Sequence, residues 1–331
     1  MARIKEIIPL RIKAPFAVLL QQTGKLPVNM VLSHVFRAWV ESTACPEETR
    51  YKAYKMVRQT TMAYLEKHYS ERVGALVSDP QPGARPEEPI LWVFWWQGEE
   101  NAPEIVKQCI NSMRDHAGKF RLQIVDHTNY MDFASVSESM ETRRRNGEIS
   151  LTHFSDYYRM ALLEEWGGLW IDASIYVDST MDVSLLDKPL FTIRNPGADP
   201  VNISNWDWTV GVVGGWKGNT LFSVCRQLLE DYWRTHNSPV DYFIFDYFIR
   251  LIWDNCVMIR EQIGAILPNN PNFYWFQTHA EEAWDDKRPH QLDGCGTWLY
   301  KLSWKKEYAL KTPDGRPTVY AHWLQETGGS R

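Results

Sequence analysis

The chain has few cysteines, and they are widely spaced. Only five occur among 331 residues, and no two of them form a Cys-x-x-Cys pair. Zinc sites of the finger type and disulfide frameworks both use clustered cysteines, so the sequence indicates neither. Scattered thiols fit a reducing compartment, and we expect a cytoplasmic protein.

A long apolar run is also missing. The longest apolar stretch near the N-terminus covers only positions 14–20. A helix that crosses a bilayer needs roughly 20 apolar residues, and a signal peptide needs a small-residue cleavage site after its apolar segment. We therefore predict neither a transmembrane helix nor a signal peptide.

Positive charge is not in excess over the whole chain. Lys and Arg number 36 against 41 Asp and Glu, which gives a net charge of −5. Nucleic-acid binders need clustered positive charge for their phosphate contacts. DNA and RNA are therefore not expected partners.

The first 40 residues depart from this balance. Against the single acid Glu6 they carry six basic residues, namely Arg3, Lys5, Arg11, Lys13, Lys25 and Arg37. Two interpretations stay open. In the first, the segment contacts anionic lipid on the inner face of the membrane, or a partner. Each basic residue near such a surface contributes about 1 kcal/mol to the binding free energy. Alternatively, it is an accessory helical layer packed on the main domain.

Aromatic residues, in contrast, are plentiful. The chain has 16 Trp, 15 Tyr and 13 Phe. Aromatic rings stack on the apolar faces of sugars and bases, but they are also ordinary core material. Abundance alone favours the core, and position has to decide.

Apolar spacing divides the chain into two regions. Between Tyr51 and Val77, apolar side chains recur at three- and four-residue steps, which predicts an amphipathic helix or a helix pair. Four prolines between positions 80 and 89 then exclude a regular helix. We place a domain boundary there, with an N-terminal helical region over 1–88 and a second domain over 89–331.

The second region alternates strand and helix patterns. The apolar run Ile90–Trp95 predicts a strand buried on both faces of a parallel sheet. A helix that Asn101 would cap follows it, and Phe120–Val125 predicts the next strand. This order is typical of an α/β fold.

A second unit of the same kind ends on an acid. A helix pattern over 152–166 stops at Gly167-Gly168, where glycine accepts a positive φ without steric cost. A short apolar strand then delivers Asp172 at or near its end. Ligands of open α/β sheets bind at the carboxyl ends of strands, so Asp172 is a candidate site residue.

Four polar residues converge in this segment. Asp156 and Arg159 share one helix face, and the following turn supplies Asp172 and Ser174. Carboxylates accept hydrogen bonds from sugar hydroxyls, and arginine neutralises phosphate, so the set suits a sugar nucleotide. When each piece is taken alone, a surface ion pair explains Asp156 and Arg159 better, and an ordinary Asp/Ser turn explains Asp172 and Ser174 at least as well.

The whole segment resembles the capsular polysaccharide synthesis glycosyltransferases. Their pattern is Ser-Asp-x-x-Arg, a helix, and Gly-Gly-x-(aromatic)-x-Asp-x-Asp. Two outer segments, Trp95–Cys109 and Lys301–Lys306, are also similar to family elements, so the resemblance extends from about residue 89 to the C-terminus. The positions that match the central pattern are Ser155, Asp156, Arg159, Gly167, Gly168, Trp170, Asp172 and Ser174.

The resemblance implies a GT-A fold with a Rossmann-like sheet and transfer of a hexosyl group, with retention, from a nucleotide sugar, with UDP as the expected nucleotide. The implied acceptor is a glycan or lipid-linked chain of a bacterial capsule or related surface polysaccharide. The implied catalytic residues are Asp156, Arg159 and Asp172. The implied donor-binding residues are these three with Trp95, Trp96, Gln97, Gly168 and Ser174.

The resemblance also implies a divalent cation. Asp172 matches the first acid of the DxD motif, but Ser174 replaces the second, and a hydroxyl is a weak ligand. We expect Mn²⁺ or Mg²⁺ on Asp172 and Ser174, with His322 near the C-terminus completing the shell. The alternative is an enzyme without metal, in which Lys or Arg side chains replace the ion.

Two classes of function remain open. One is the retaining glycosyltransferase described above. The other is a sugar-binding or scaffold protein of the same assembly without catalytic activity, in which Ser174 marks a lost metal site. Release of nucleoside diphosphate from the donor distinguishes them.

Overall fold

Helices and strands alternate along this computed structural model, which describes residues 26–197, 201–285 and 295–328. The helices are α1 (Val28–Ser42), α2 (Glu47–Leu76), α3 (Glu104–Asp115), α4 (Tyr130–Phe133), α5 (Glu138–Arg145), α6 (Leu151–Trp166), α7 (Thr220–Thr235), α8 (Ile244–Asn255), α9 (Val257–Gly264), α10 (Trp275–His279) and α11 (Val319–Gly328). The strands are β1 (Ile90–Phe94), β2 (Arg121–Val125), β3 (Gly168–Ile171), β4 (Ile175–Val177), β5 (Leu190–Thr192), β6 (Val212–Gly215) and β7 (Leu299–Lys301).

A mixed, mostly parallel sheet forms the centre of this α/β fold. Its strand order is β2-β1-β3-β6-β5. β1 runs parallel to both β2 and β3, whereas β6 runs antiparallel to β3 and β5. The carboxyl ends of β2, β1 and β3 therefore lie side by side at one edge of the sheet. β4 and β7 form a separate two-stranded sheet.

Both faces of the central sheet are covered, as the uninterrupted apolar run of β1 predicted. Trp92 and Phe94 pack on one face, in a core that includes residues of α2, α6, α7 and α8. Leu91 and Val93 pack on the other face, in a core that includes residues of α3, α11 and the small sheet. Successive side chains of a strand point to opposite faces, which explains this division. Many aromatic residues are therefore core material.

The N-terminal helices share the first of these cores. Leu65, Tyr69 and Val73 of α2 belong to the same apolar cluster as residues of α7 and α8. The ring of Tyr69 meets the ring of Phe248 edge to face at 5.3 Å. The prolines that follow α2 separate it from β1 in sequence, but the two regions pack together in space.

The basic N-terminal segment lies mostly outside the described residues, because these begin at position 26. Arg37 is the basic residue of that segment that the structure describes, and its Nη1 donates to Asp241 Oδ2 at 2.9 Å. This arginine therefore binds to the protein itself and is not available to a lipid.

Several local predictions can be compared with the elements. The helix that Asn101 was expected to cap begins instead after Pro103, and Asn101 ends a short 3-10 turn. Each of the five cysteines is free, as their spacing predicted. Among the described residues, the helices are too short or too polar to cross a membrane.

Candidate active site

Asp172 lies directly after β3, at the carboxyl edge of the sheet. Its backbone N–H donates to the carbonyl oxygen of Gly211 at 2.9 Å, which extends the pairing of β3 with β6. The N–H of Ile175 then donates back to the carbonyl oxygen of Asp172 at 3.0 Å and closes a tight turn. The predicted position of Asp172 at a strand end is confirmed.

Two glycines start β3, and the structure explains both. Gly167 and Gly168 have φ angles of 70° and 97°, which disfavour other residues. A Cβ on Gly168 would also overlap the carbonyl oxygen of Ile90 in β1. Gly168 thus lies at the opposite end of β3 from Asp172. The donor-binding role that we expected for Gly168 does not fit this position, because its constraint is the close packing of two strands.

Arg159 is a buried residue that holds the acids in place. Only 4% of the residue is exposed. Its Nη2 donates to Asp172 Oδ1 at 3.2 Å and lies 3.5 Å from Asp156 Oδ1. Its Nη1 donates to the carbonyl oxygen of Val210 at 2.6 Å, and the guanidinium lies over the ring of Trp170. This burial and these bonds make Arg159 a positioning residue rather than an accessible phosphate contact.

Lys301 completes the cluster, although the sequence analysis predicted no role for it. Its Nζ donates to Asp172 Oδ2 at 2.9 Å and to Ser174 Oγ at 3.1 Å. The backbone fixes this position, because Lys301 pairs with Ile175 across β4 and β7 and the N–H of Leu302 donates to the carbonyl oxygen of Ser174. Its membership of the family-like segment Lys301–Lys306 was the signal that pointed to it.

The two acids of the site have opposite pKa shifts. Burial raises the pKa of Asp156 to about 7, although the positive charge of Arg159 works against burial. Burial also acts to raise the pKa of Asp172, but Lys301 and Arg159 outweigh it and hold that pKa below its usual range. Asp172 is therefore charged at neutral pH, whereas Asp156 titrates near neutrality.

A third acid approaches the cluster from α8. Asp246 accepts a hydrogen bond from Trp208 Nε1 at 3.0 Å, and burial raises its pKa to about 6. Its charge contributes to the raised pKa of Asp156. The long separation of Asp246 from Asp156 in sequence hid this proximity from the sequence analysis.

Trp95 and Trp96 lie on opposite sides of the chain after β1, as strand alternation predicted, and each is partly buried. Trp95 meets the ring of Trp304 edge to face at 5.3 Å. Trp96 packs against the first core, and the guanidinium of Arg144 covers its ring at 4.4 Å from the centroid. Trp95 and Trp96 were expected to bind the donor, but both rings carry protein contacts.

Gln97 lines a surface pocket at the carboxyl ends of β1 and β2. The pocket has a volume of about 390 Å³ and includes Asp126, His127 and Thr128 from the loop after β2. The two loops are joined, since the N–H of His127 donates to the carbonyl oxygen of Trp96 at 3.1 Å. Because β1 lies between β2 and β3, this pocket opens at the same edge of the sheet as Asp172.

Comparison with known proteins identifies the family of the chain. The family described as "Capsular polysaccharide synthesis protein" matches residues 43–322. The chain belongs to this family. The matched range contains every member of the Asp172 cluster, and it includes α2 as well as the sheet.

This member of the capsular polysaccharide synthesis family is similar to two named glycosyltransferases. It is 30% identical over 106 residues to the O-glycosyltransferase PaGT of Phomopsis amygdali, which is 29% of this chain and 26% of that protein. It is 25% identical over 122 residues to the O-glycosyltransferase braB of Annulohypoxylon truncatum, which is 34% of this chain and 28% of that protein. The similarity thus spans about a quarter of the length of these relatives.

A solved structure is also similar to this member of the capsular polysaccharide synthesis family. It is the PaToxG glycosyltransferase, at 13% sequence identity and a TM-score of 0.40. The match covers 77% of this chain and all of that one.

The divalent cation that the resemblance implied does not fit the side chains around Asp172. Both oxygens of Asp172 already bind donors, and the hydroxyl of Ser174 accepts from Lys301. His322 stacks on Trp284 and pairs with Glu326 at 3.0 Å. Within residues 26–197, 201–285 and 295–328, no three His, Cys, Asp or Glu side chains are grouped to hold a metal ion.

Proposed function

We propose that this protein is a glycosyltransferase that moves a hexosyl group from a nucleotide sugar, with UDP as the nucleotide, to a glycan or lipid-linked acceptor of a capsular or surface polysaccharide. The transfer is proposed to retain the configuration of the anomeric carbon. One observation carries the proposal. In a member of the capsular polysaccharide synthesis family, Asp172, Arg159 and Lys301 meet at the carboxyl edge of an α/β sheet.

The charges of this cluster suit an anionic leaving group. Two cations, Arg159 and Lys301, contact the single carboxylate of Asp172. A nucleoside diphosphate gains negative charge as it departs, and fixed positive charge in a partly buried site stabilises it. The side chain of Lys301 is 22% exposed, against 4% for Arg159, so Lys301 is the cation that a diphosphate can reach.

The neighbouring pocket supports a place for the nucleoside. It lies where β1 and β2 end, at the edge of the sheet where β3 delivers Asp172, and its volume of about 390 Å³ is within the usual range for small-molecule sites. Gln97 and Asp126 offer amide and carboxylate groups to a base or a ribose. In this arrangement the diphosphate would extend from the pocket toward Lys301.

Asp156 is proposed to contact the donor sugar. Its carboxyl lies beside Arg159 and has a pKa of about 7, so it exists in both protonation states near neutral pH. A protonated carboxyl donates a hydrogen bond as well as accepting one. Such a group can bind two neighbouring hydroxyls of a sugar at once.

The second candidate is a sugar-binding or scaffold protein without catalytic activity. The observation that favours it is Ser174, since a hydroxyl stands where the family pattern has an acid. Such a protein would bind the same nucleotide sugar but leave its glycosidic bond intact.

The test is a donor-hydrolysis and transfer assay with a panel of nucleotide sugars. Chromatography measures the free nucleoside diphosphate, with wild type, Asp172→Asn and the exposed control Asp187→Asn. We expect release from at least one donor with wild type and the control, and its loss in Asp172→Asn. Binding of a donor, seen as a rise in melting temperature, without any release would favour the scaffold function.

We also propose that the N-terminal region holds the protein against anionic lipid. The outward face of α1 is apolar: the exposed fractions of Val28, Leu32 and Trp39 are 74%, 60% and 53%. The basic residues at positions 3–25 precede this face in sequence. Wild type should sediment with vesicles that contain phosphatidylserine at low salt, whereas Leu32→Ser/Trp39→Ser should not. Equal sedimentation with neutral vesicles would refute the electrostatic part of the proposal.

A further inference from the structure

The position of Lys301 relative to the Asp-x-Ser turn has a specific meaning for the chemistry of the site. Its ammonium lies between the two side chains that the turn presents, 2.9 Å from Asp172 Oδ2 and 3.1 Å from Ser174 Oγ. The other oxygen of Asp172, Oδ1, accepts from Arg159 at 3.2 Å and from Trp170 Nε1 at 3.0 Å. A cation of the chain itself thus occupies the place where these two side chains converge.

The charge balance of the cluster disfavours a second cation. Hard divalent ions are held mainly by negatively charged oxygen ligands. The carboxylate of Asp172 is already contacted by two cations, Lys301 and Arg159, and Ser174 contributes no charge. An acid at position 174 would add a second negatively charged ligand, which the serine present here does not supply.

The backbone holds Lys301 at this position. β7 pairs with β4 so that Lys301 lies opposite Ile175, the residue that follows the turn. The N–H of Leu302 donates to the carbonyl oxygen of Ser174 at 2.9 Å. The ammonium is therefore positioned before a ligand arrives, which lowers the cost of binding an anion.

We propose that Lys301 supplies the positive charge that binds the diphosphate of the donor, in place of a divalent metal ion. This proposal rests on the proposed transferase function. During transfer, the bond between the anomeric carbon and the diphosphate oxygen breaks, and its electron pair stays on the nucleoside diphosphate. The acceptor hydroxyl forms the new bond to that carbon, and its proton passes to the departing nucleoside diphosphate. Lys301 forms and breaks no covalent bond.

The first experiment measures binding of the metal alone. Free Mn²⁺ is followed by electron paramagnetic resonance during titration with wild type, with Asp172→Asn and with the double variant Ser174→Asp/Lys301→Gln. We expect wild type to bind no more Mn²⁺ than Asp172→Asn, and the double variant to gain one site. A Mn²⁺ site in wild type that Asp172→Asn loses would overturn the proposal.

The second experiment measures binding of UDP by calorimetry in EDTA and in Mn²⁺. Wild type should bind UDP equally well in both. Lys301→Gln should bind UDP about 10- to 100-fold more weakly, as expected for the loss of one charged hydrogen bond, whereas Lys301→Arg should retain most of the affinity. Lys52→Gln, an exposed lysine on α2, is the matched control.

The outcomes separate the two proposals. Circular dichroism and melting curves identify a variant that fails to fold, and in that case the pair of wild type and Lys301→Arg still decides whether UDP binding needs metal. UDP binding by wild type that appears only with Mn²⁺ would overturn the role of Lys301. If neither UDP nor other nucleoside diphosphates bind under either condition, the proposed transferase function is refuted. The Mn²⁺ titration still reports in that case whether Asp172 holds a metal.

Discussion

Replacing Asp156 by Asn should stabilise the folded protein above neutral pH, even though it should remove activity. Asp156 is buried, and burial raises its pKa from 3.8 to about 7. The nearest cation, Arg159 Nη2, lies 3.5 Å from Asp156 but 3.2 Å from Asp172, so it is shared. Between these two pKa values the folded protein keeps a proton that the unfolded chain has released.

The size of the effect follows from that shift. A change from 3.8 to about 7 is about 3 pKa units, and at about 1.4 kcal/mol per unit it amounts to about 4 kcal/mol. In wild type this stability is fully present below the unfolded pKa, and it is lost as pH rises through the folded pKa. Asn carries no charge and pays no such penalty. At about pH 8 the free energy of unfolding of the variant should exceed that of wild type by about 2 to 4 kcal/mol. The lower value allows for the weaker attraction of Asn to Arg159.

Urea unfolding followed by tryptophan fluorescence measures this difference between about pH 5 and about pH 8. The stability of wild type should fall relative to Asp156→Asn across that range, and the gap should narrow toward about pH 5 without closing, because the stability is fully present only below the unfolded pKa of 3.8. Asp246 titrates in the same range in both proteins, so the difference between them is the informative quantity. The exposed control Asp187→Asn should run parallel to wild type. Parallel curves for Asp156→Asn and wild type would refute the raised pKa.

Three further substitutions test the site and its support. Asp172→Asn should lower turnover about 100-fold or more with an unchanged circular dichroism spectrum, because the carboxylate positions Lys301 and Arg159, and a folded, fully active variant would remove Asp172 from the site. Gly168→Ala should lower the melting temperature sharply, because its φ is 97° and a Cβ would overlap the carbonyl oxygen of Ile90; a wild-type melting curve would contradict this packing. Gly211→Ala would place a Cβ 2.9 Å from Asp172 Oδ2 and displace the carboxylate, so turnover should fall about tenfold with little change in melting temperature. An unchanged turnover would show that the carboxylate tolerates this displacement.

Local patterns were sufficient for the part of the site that lies on α6 and β3. An apolar run of strand length followed by a polar residue placed Asp172 at the edge of the sheet, and two glycines marked the end of α6. These features depend on residues that are near one another in sequence. Side-chain spacing also placed Asp156 and Arg159 on one helix face, and the structure confirms their pairing.

The partner of Asp172 could not be found in the same way. Lys301 is 129 residues away in sequence, and the contact depends on the pairing of two three-residue strands, β4 and β7. Strands this short carry no periodic signal. The burial of Arg159 could not be predicted from the sequence either. Arg159 has the sequence pattern of a phosphate ligand, but its hydrogen bond to Val210 and its ion pairs with the two acids enclose it.

The packing of the N-terminal helices on α8 has a consequence for how the chain folds during synthesis. Arg37 of α1 and its partner Asp241 are separated by 204 residues. At about 5 to 20 residues per second, that interval takes the ribosome about 10 to 40 seconds. Throughout it, α2 lacks the helix α8 that packs against it, and contacts of such long range also slow the final folding step. A nascent chain stalled before Ile244 should therefore be a substrate for chaperones or an aggregation-prone intermediate.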